Sequence, residues 1–232
     1  MAKMLTKLAQ AAIVTLFTSI SFSSFANENA DVVEVRFSEF LDERMDRISA
    51  IDKKREKVFR KYRRDGSRSA QRPRNALNKS RFFNTEWANE RLIPDIEQYS
   101  VPSLIAEMMK RGIEEANPNG FDGRVVLEVE QLLVARFPLA SISSFNTEME
   151  GKVKLFDSEG NLVTEHEVWT SLIPKFTATR NYQGRDYAYL STAGATRIGP
   201  VAGEFTAEAL EKIFPDYDAP SLIFLQPADF GR

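Results

Sequence analysis

The sequence predicts an α+β fold, in which a mainly antiparallel sheet carries helices on one face and a long charged helix lies near the N-terminus. Two observations lead to this prediction. Apolar or small residues alternate with charged ones over residues 147–155, and a helical repeat of apolar residues begins near residue 39. Helices that cover one face of a sheet bury the apolar sides of both elements. We therefore expect a meander of about three strands together with one N-terminal strand.

The strand signal is strongest for a hairpin in the second half of the chain. Charged residues occupy every second position between residues 147 and 155, and an acidic turn at 157–160 leads into a second β-type run over residues 162–173. This alternation indicates that one face of the hairpin is solvated. A β-rich stretch at 124–137 and an alternating stretch at 32–37 supply the other two strands.

Residues 39–65 are predicted to form one long helix. Ser38 is a suitable N-cap, acidic residues occupy the first turns, where the helix dipole favours negative charge, and Gly66 is a natural stop. Apolar residues recur at spacings of three and four, so we expect one stripe of the helix to face the core or a partner. The predicted stripe comprises Leu41, Met45, Ile48, Ile51, Arg55, Val58 or Phe59, and Tyr62.

Three shorter helices are predicted, at residues 85–92, after Ser100 or Ser103, and at residues 205–214. Residues 175–203 are expected to be irregular. Two interpretations of that stretch stay open, because its tyrosines and glycines either line a ligand groove or belong to an ordinary loop. The tyrosines in question are Tyr182, Tyr187 and Tyr189.

The N-terminus predicts a cleaved secretory signal peptide over residues 1–26. Lys3 and Lys7 provide the positive start, and an uncharged apolar run follows over residues 8–25. The small residues Ser24 and Ala26 occupy the two positions that a signal peptidase recognises before its cleavage site. The alternative is an uncleaved membrane anchor. Cleavage predicts a periplasmic protein without a transmembrane segment. Its remaining chain divides into residues 27–82, with the N-terminal strand, long helix and basic loop, and an α/β domain at 83–232.

The composition excludes several kinds of chemistry. The chain has 232 residues, no cysteine and one histidine, His166, so thiolate metal sites, a cysteine lipid anchor and a histidine-rich metal centre are ruled out within one chain. On a strand, Glu165 and Glu167 point away from the face of His166, and no G-x-S-x-G motif accompanies it. We therefore expect a structural or surface histidine, and neither catalytic residues nor a metal or cofactor.

The charge of the chain is concentrated in one block. The formal net charge of the whole chain is −2, yet residues 53–81 contain thirteen Lys and Arg against Glu56 and Asp65, a net of +11. Such a block is typical of an interaction arm that contacts anionic lipid or an acidic envelope protein, although it could also lie against the acidic body of its own chain. Nucleic acid is not an expected partner of an exported protein. The predicted contact residues are Arg60, Lys61, Arg63, Arg64, Arg68, Arg72 and Arg74.

The order of elements resembles that of small envelope proteins of Gram-negative bacteria, including the auxiliary lipoproteins of lipid-transport systems. The similarity covers residues 101–173 and 205–214: a helix ending near Asn119-Gly120, a long strand, a strand bearing Gly151, an acidic turn, a third strand and a late helix. The resemblance implies a role in the periplasmic envelope. The chain lacks the anchor cysteine of those lipoproteins, and the long basic helix lies outside the matching pattern.

Three functional hypotheses follow from these patterns. The first is a non-enzymatic periplasmic binding or accessory protein that contacts anionic lipid or an acidic partner through the basic helix end and loop. The second is a structural protein that pairs through the long amphipathic helix. The third is a carboxylate-dependent hydrolase, which requires two buried carboxylates facing each other in a cleft.

Overall fold

A computed structural model of the chain describes residues 32–65, 85–134, 147–172, 176–178, 182–190 and 197–225. The α+β prediction is confirmed, because helices pack on a four-stranded sheet in the order β1-β2-β3-β4. The first pair of strands is parallel and the other two pairs are antiparallel. The strands are β1 (Val33–Phe37), β2 (Arg124–Leu133), β3 (Thr147–Phe156) and β4 (Leu162–Leu172).

The two faces of this sheet differ in polarity, as the predicted hairpin requires. Val125, Leu127 and Val153 point to one face and belong to the hydrophobic core. The opposite face carries charged pairs: Lys154 Nζ lies 2.8 Å from a carboxylate oxygen of Glu128, which is itself only 3% exposed. The helices therefore all share the apolar face, and the charged face is left to solvent.

In the described part of the chain, four α-helices surround the core: α1 (Glu39–Asp65), α2 (Ala88–Leu92), α3 (Val101–Ala116) and α4 (Gly199–Ile213). A 3-10 turn, Ile96–Gln98, lies between α2 and α3. Ser100 caps α3, because its Oγ accepts a hydrogen bond from the backbone N–H of Ser103 at 3.1 Å. The helix predicted at 205–214 begins six residues earlier, at Gly199. Pro200 fits the first turn of a helix, where its missing N–H costs nothing.

The expectation of irregular structure over residues 175–203 is wrong. Strands β5 (Phe176–Ala178) and β6 (Tyr187–Leu190) pair in parallel with β7 (Leu222–Leu225), in the order β5-β7-β6. Strands of three or four residues are too short to give a clear alternating pattern, and their common partner lies near the end of the chain. The three-stranded sheet brings Tyr187 and Tyr189 into buried positions.

Among the residues described above, no helix combines the length and the apolar character that a membrane crossing requires.

Two buried threonines provide a test of this packing. Thr170 Oγ1 is buried without a hydrogen-bond partner among the described residues, whereas Thr206 Oγ1 donates to backbone oxygens of α4, at 2.9 Å from Ala202 O. We expect Thr170→Val to raise the free energy of unfolding by about 1 kcal/mol, because it removes an unsatisfied hydroxyl. Thr206→Val should lower it by about 1 kcal/mol. Urea denaturation measures both changes, and equal effects of the two substitutions would contradict the assignment.

Candidate functional site

The buried side of α1 changes from apolar to polar midway along the helix. Leu41 and Met45 are buried in the hydrophobic core, but the next buried positions carry polar or charged residues: Ser49, Asp52, Glu56 and Arg60. The predicted apolar stripe is confirmed only in part, because Ile48 and Phe59 are half-buried against apolar clusters whereas the positions between them are wrong. Ile51 and Val58, which belong to that stripe, are each 47% exposed.

Glu56 is the centre of a buried ion-pair cluster. Its Oε1 accepts a hydrogen bond from Arg60 Nε at 2.7 Å, and its Oε2 accepts from Asn89 Nδ2 at 3.0 Å and from Arg197 Nη2. Arg60 also donates from Nη2 to the backbone oxygens of Asn89 and Ile93, at 3.0 and 2.8 Å. The guanidinium of Arg60 thus ties α1 to the end of α2.

Arg60 was predicted as a surface contact for anions, and this assignment is wrong. Its side chain is buried, with a relative exposure of 7%, and its Nη1 donates to Pro94 O at 2.8 Å. A guanidinium that is already desolvated and hydrogen-bonded inside the protein does not reach a membrane or an acidic partner.

A second branch of the cluster runs from Asp52. Tyr99 donates its hydroxyl to Asp52 Oδ2 at 2.5 Å and accepts from Asn89 Nδ2 at 3.2 Å. Tyr189 donates to Asn89 Oδ1 at 2.7 Å, and Arg197 Nε forms an ion pair with Asp52 Oδ1 at 3.5 Å. One connected network therefore joins α1, α2, Tyr99, β6 and Arg197, which lies two residues before α4.

Gly199 leaves the space that this network needs. A Cβ atom at position 199 would lie 2.6 Å from Tyr189 Oη and 2.7 Å from Asn89 Oδ1, closer than side-chain carbons approach polar atoms. The first residue of α4 therefore has to be glycine for the hydrogen bond between Tyr189 and Asn89 to form.

Burial controls the protonation of several groups in and around the cluster. Desolvation raises the pKa of Tyr99 and Tyr189 well above the usual value, and the charge of Asp52 adds to this effect at Tyr99. Both phenols therefore remain hydrogen-bond donors. Desolvation lowers the pKa of Arg197, and Arg55 acts in the same direction, whereas Asp52 opposes it.

A cavity of about 570 Å³ lies between α1, α2 and β6, next to the network. Its walls include Phe59 and Trp87, whose rings meet edge to face with centroids 5.1 Å apart. Residues at its mouth are exposed and residues at its floor are buried. The lining comprises Ile51, Lys54, Arg55, Glu56, Val58, Phe59, Trp87, Ala88, Asn89, Ala188, Tyr189, Leu190 and Arg197.

The outward side of α1 carries charges of one sign between residues 51 and 61. Both acidic residues of this stretch, Asp52 and Glu56, are buried in the network. The exposed positions hold two aliphatic residues and four cations. We call these residues the cationic face: Ile51, Lys54, Arg55, Lys57, Val58 and Lys61.

The other predicted contact residues lie partly outside the described region. Lys61 is exposed on the cationic face. Arg63 and Arg64 belong to the last turn of α1, but their side chains lie outside the described set. Arg68, Arg72 and Arg74 all fall in residues 66–84, which are not described.

His166 lies on the helix-covered side of β4, opposite Val153 of β3, and is half-buried. Its Nε2 forms a hydrogen bond with Thr164 Oγ1 at 2.8 Å. Glu165 and Glu167 are exposed. In the described part of the chain, no three His, Asp or Glu side chains are grouped closely enough to hold a metal ion.

Comparison with models of protein families, with curated proteins and with solved structures gives no match for this chain. Its function must therefore be inferred from the network, the cavity and the cationic face.

Sequence reasoning missed most residues of the network. A signal for two of them does exist, because the spacing that buries Leu41 and Met45 continues through Ser49 to Asp52 and Glu56. The prediction followed the apolar Ile51 instead of this spacing. Asn89 and Arg197 give no local signal, since their partners are distant in sequence. Of the three tyrosines that the sequence analysis considered for a groove, Tyr189 lines this cavity.

The network predicts that the loss of a buried carboxylate charge lowers the free energy of unfolding much more than the loss of an exposed one. Glu56→Gln should lower the free energy of unfolding by about 3–5 kcal/mol, because the guanidinium groups of Arg60 and Arg197 lose their buried counter-charge. Glu97 serves as the control, since it pairs with Lys53 and Lys57 in solvent. Glu97→Gln should leave stability unchanged within error. Chemical denaturation of both variants measures the difference, and similar losses would argue against a stabilising role of the cluster.

The buried phenols predict a loss of stability at alkaline pH. Desolvation raises the pKa of Tyr187 to about 12, so the folded protein keeps this proton while the unfolded chain releases it near pH 10. Stability should therefore be insensitive to this group below about pH 10 and fall above it, by about 1.4 kcal/mol per pH unit for each such tyrosine.

Denaturation between pH 9 and pH 12, followed with tyrosinate absorbance, tests this dependence. Tyr187→Phe should reduce the slope by the contribution of one tyrosine. An unchanged slope in this variant would show that Tyr187 titrates normally.

Proposed function

We propose that the chain is a non-enzymatic binding protein of the periplasmic envelope, which contacts anionic lipid surfaces through the cationic face of α1. The observation that carries this proposal is the orientation of charge on α1. Between residues 51 and 61 the exposed charged side chains are all cationic, and the acidic residues Asp52 and Glu56 are buried.

The residues of the cationic face suit the surface of an anionic membrane. Lys54, Arg55 and Lys61 provide positive charge, and the exposed Ile51 and Val58 lie among them. Basic residues near an anionic leaflet contribute about 1 kcal/mol each, and apolar side chains enter the head-group region of the bilayer. This combination favours a lipid surface over a purely acidic protein.

The sequence beyond the cationic face adds to the same charge. Arg63, Arg64, Arg68, Arg72 and Arg74 follow Lys61 along the chain. The proposed location rests on the signal peptide predicted at residues 1–26, because removal of that segment would release the protein outside the cytoplasm. The sequence also predicts that the mature chain divides into an N-terminal unit, residues 27–82, and an α/β domain, residues 83–232. The resemblance to envelope proteins favours the same compartment.

Two observations favour binding over hydrolysis. Among the described residues, three carboxylates are buried, Asp52, Glu56 and Glu128, and only Glu56 lines the cavity, whereas a glycosidase-type mechanism needs two that face a shared substrate. Both oxygens of Glu56 also accept hydrogen bonds within the protein, from Arg60, Asn89 and Arg197, so this carboxylate serves as a structural counter-charge. Pairing through the long helix is disfavoured as well, since Ile51 and Val58 are separated by cations and do not form a continuous a/d seam.

Flotation with lipid vesicles tests the proposal. Residues 27–232 should float with vesicles rich in phosphatidylglycerol at low salt, should bind much less at 1 M salt, and should not bind vesicles of phosphatidylcholine, because the attraction is screened by ions. Binding at all salt concentrations, or equal binding to neutral vesicles, would contradict an electrostatic surface contact.

A pair of triple variants separates the cationic face from net charge. Replacement of Lys54, Arg55 and Lys61 by Gln should reduce flotation at least tenfold. Replacement of Lys110, Arg185 and Lys212 by Gln removes the same charge from elements other than α1 and should leave flotation nearly unchanged. Equal losses in both variants would mean that net charge, and not the cationic face, determines binding.

A further inference from the structure

We infer that the cavity beneath the cationic face binds a single-chain anionic amphiphile, that is, one alkyl chain that ends in one anionic head group. The inference rests on the proposed contact with anionic lipid and names the molecule that this contact would deliver. Three features of the cavity carry it: an apolar interior, an excess of positive charge in its lining, and a mouth formed by residues of the cationic face.

The interior of the cavity is suited to an alkyl chain. Phe59, Trp87, Ala188 and Leu190 line it, and Trp87 and Ala188 are 4% and 0% exposed. A volume of about 570 Å³ lies in the range of pockets that enclose one small ligand. Apolar walls of this kind gain free energy with each methylene group that they remove from water.

The charges of the lining select an anionic head group. Lys54, Arg55 and Arg197 are cationic, and Glu56 is the one carboxylate among the lining residues. The charge of Glu56 is compensated from within, because Arg60 and Arg197 both donate to it. A cationic ligand would therefore meet net repulsion at this site, whereas an anion would meet net attraction.

Arg197 places a buried cation beside the apolar wall. It is only 7% exposed and lines the cavity, where its Nε forms an ion pair with Asp52 Oδ1 at 3.5 Å and its Nη2 donates to Glu56. Its guanidinium carbon lies 6.0 Å from the ring centroid of Phe59, where the apolar wall begins. Cationic and apolar groups therefore adjoin in the cavity, as an amphiphile requires.

The mouth of the cavity coincides with the proposed membrane contact. Ile51, Lys54, Arg55 and Val58 are exposed members of the cationic face and line the cavity as well. A protein that lies on a lipid surface through this face would present the mouth to the lipids. The alkyl chain would then enter past Ile51 and Val58, and the head group would remain near Lys54 and Arg55.

Trp87 is a natural reporter of occupancy. The chain has two tryptophans, and Trp169 is 56% exposed on the outer face of the sheet and does not line the cavity. In a Trp169→Phe variant of residues 27–232, the fluorescence of Trp87 should change when a fatty acid is added as monomers. Affinity should rise about fourfold with each methylene between eight and twelve carbons, and alcohols of equal chain length should bind at least tenfold more weakly.

Substitutions at the mouth provide matched variants. Val58→Glu places a carboxylate at the entrance and should weaken the binding of dodecanoate at least tenfold. Phe40→Glu makes the same kind of change at a 65% exposed position of α1 that does not line the cavity, and it should have no effect. Both positions are on the surface, so circular dichroism should show that both variants fold. Equal losses of affinity in the two variants would overturn the inference.

The outcomes separate this inference from the proposed function. Vesicle flotation without any response of Trp87 to fatty acids would overturn the cavity assignment and leave the surface contact intact. Dodecanoate binding without salt-sensitive flotation would support the cavity and overturn the surface contact.

Discussion

The position of α1 depends on the buried contact between Glu56 and Arg197. Beyond Met45, α1 buries polar residues in place of an apolar seam, so its second half is fixed by hydrogen bonds and ion pairs. Buried charges are costly to desolvate, and they fix a structure only when every partner is in place. Glu56 satisfies this condition through Arg60, Asn89 and Arg197. Polar contacts fix this half of the helix. The aromatic side chains of Phe59 and Trp87 lie next to these contacts and line the cavity.

The sequence predicted the elements whose patterns are local. The bounds of α1, the hairpin of β3 and β4 and the cap of α3 all follow from spacing and capping within a few residues. The start of α4 was missed because Gly199 and Pro200 look like loop residues, although the glycine is needed for close packing against Tyr189. The second sheet was missed because its strands are short and pair with β7. The buried polar network was not predicted because its hydrogen bonds join residues that are far apart in the sequence.

In the described part of the basic block, residues 53–65, the fold determines which charges face solvent. Arg60 is turned inward as a structural partner of Glu56, whereas Lys54, Arg55 and Lys61 face outward. The same inward turn removes Asp52 and Glu56 from the surface. The cationic face therefore carries four cations and no carboxylate of its own, although Glu97 pairs with one of these cations, Lys57.

The network also constrains the order in which the chain can fold. Glu56 and Arg197 are 141 residues apart, and the contact between Asp52 and the backbone of Ile198 spans 146 residues. Contacts of such high sequence separation form late, because a long loop must close before they contribute. Until Arg197 is available, Glu56 lacks one of its two guanidinium partners and Asp52 lacks its ion pair with Arg197. The second half of α1 therefore gains its complete set of buried partners only when almost the whole chain is present.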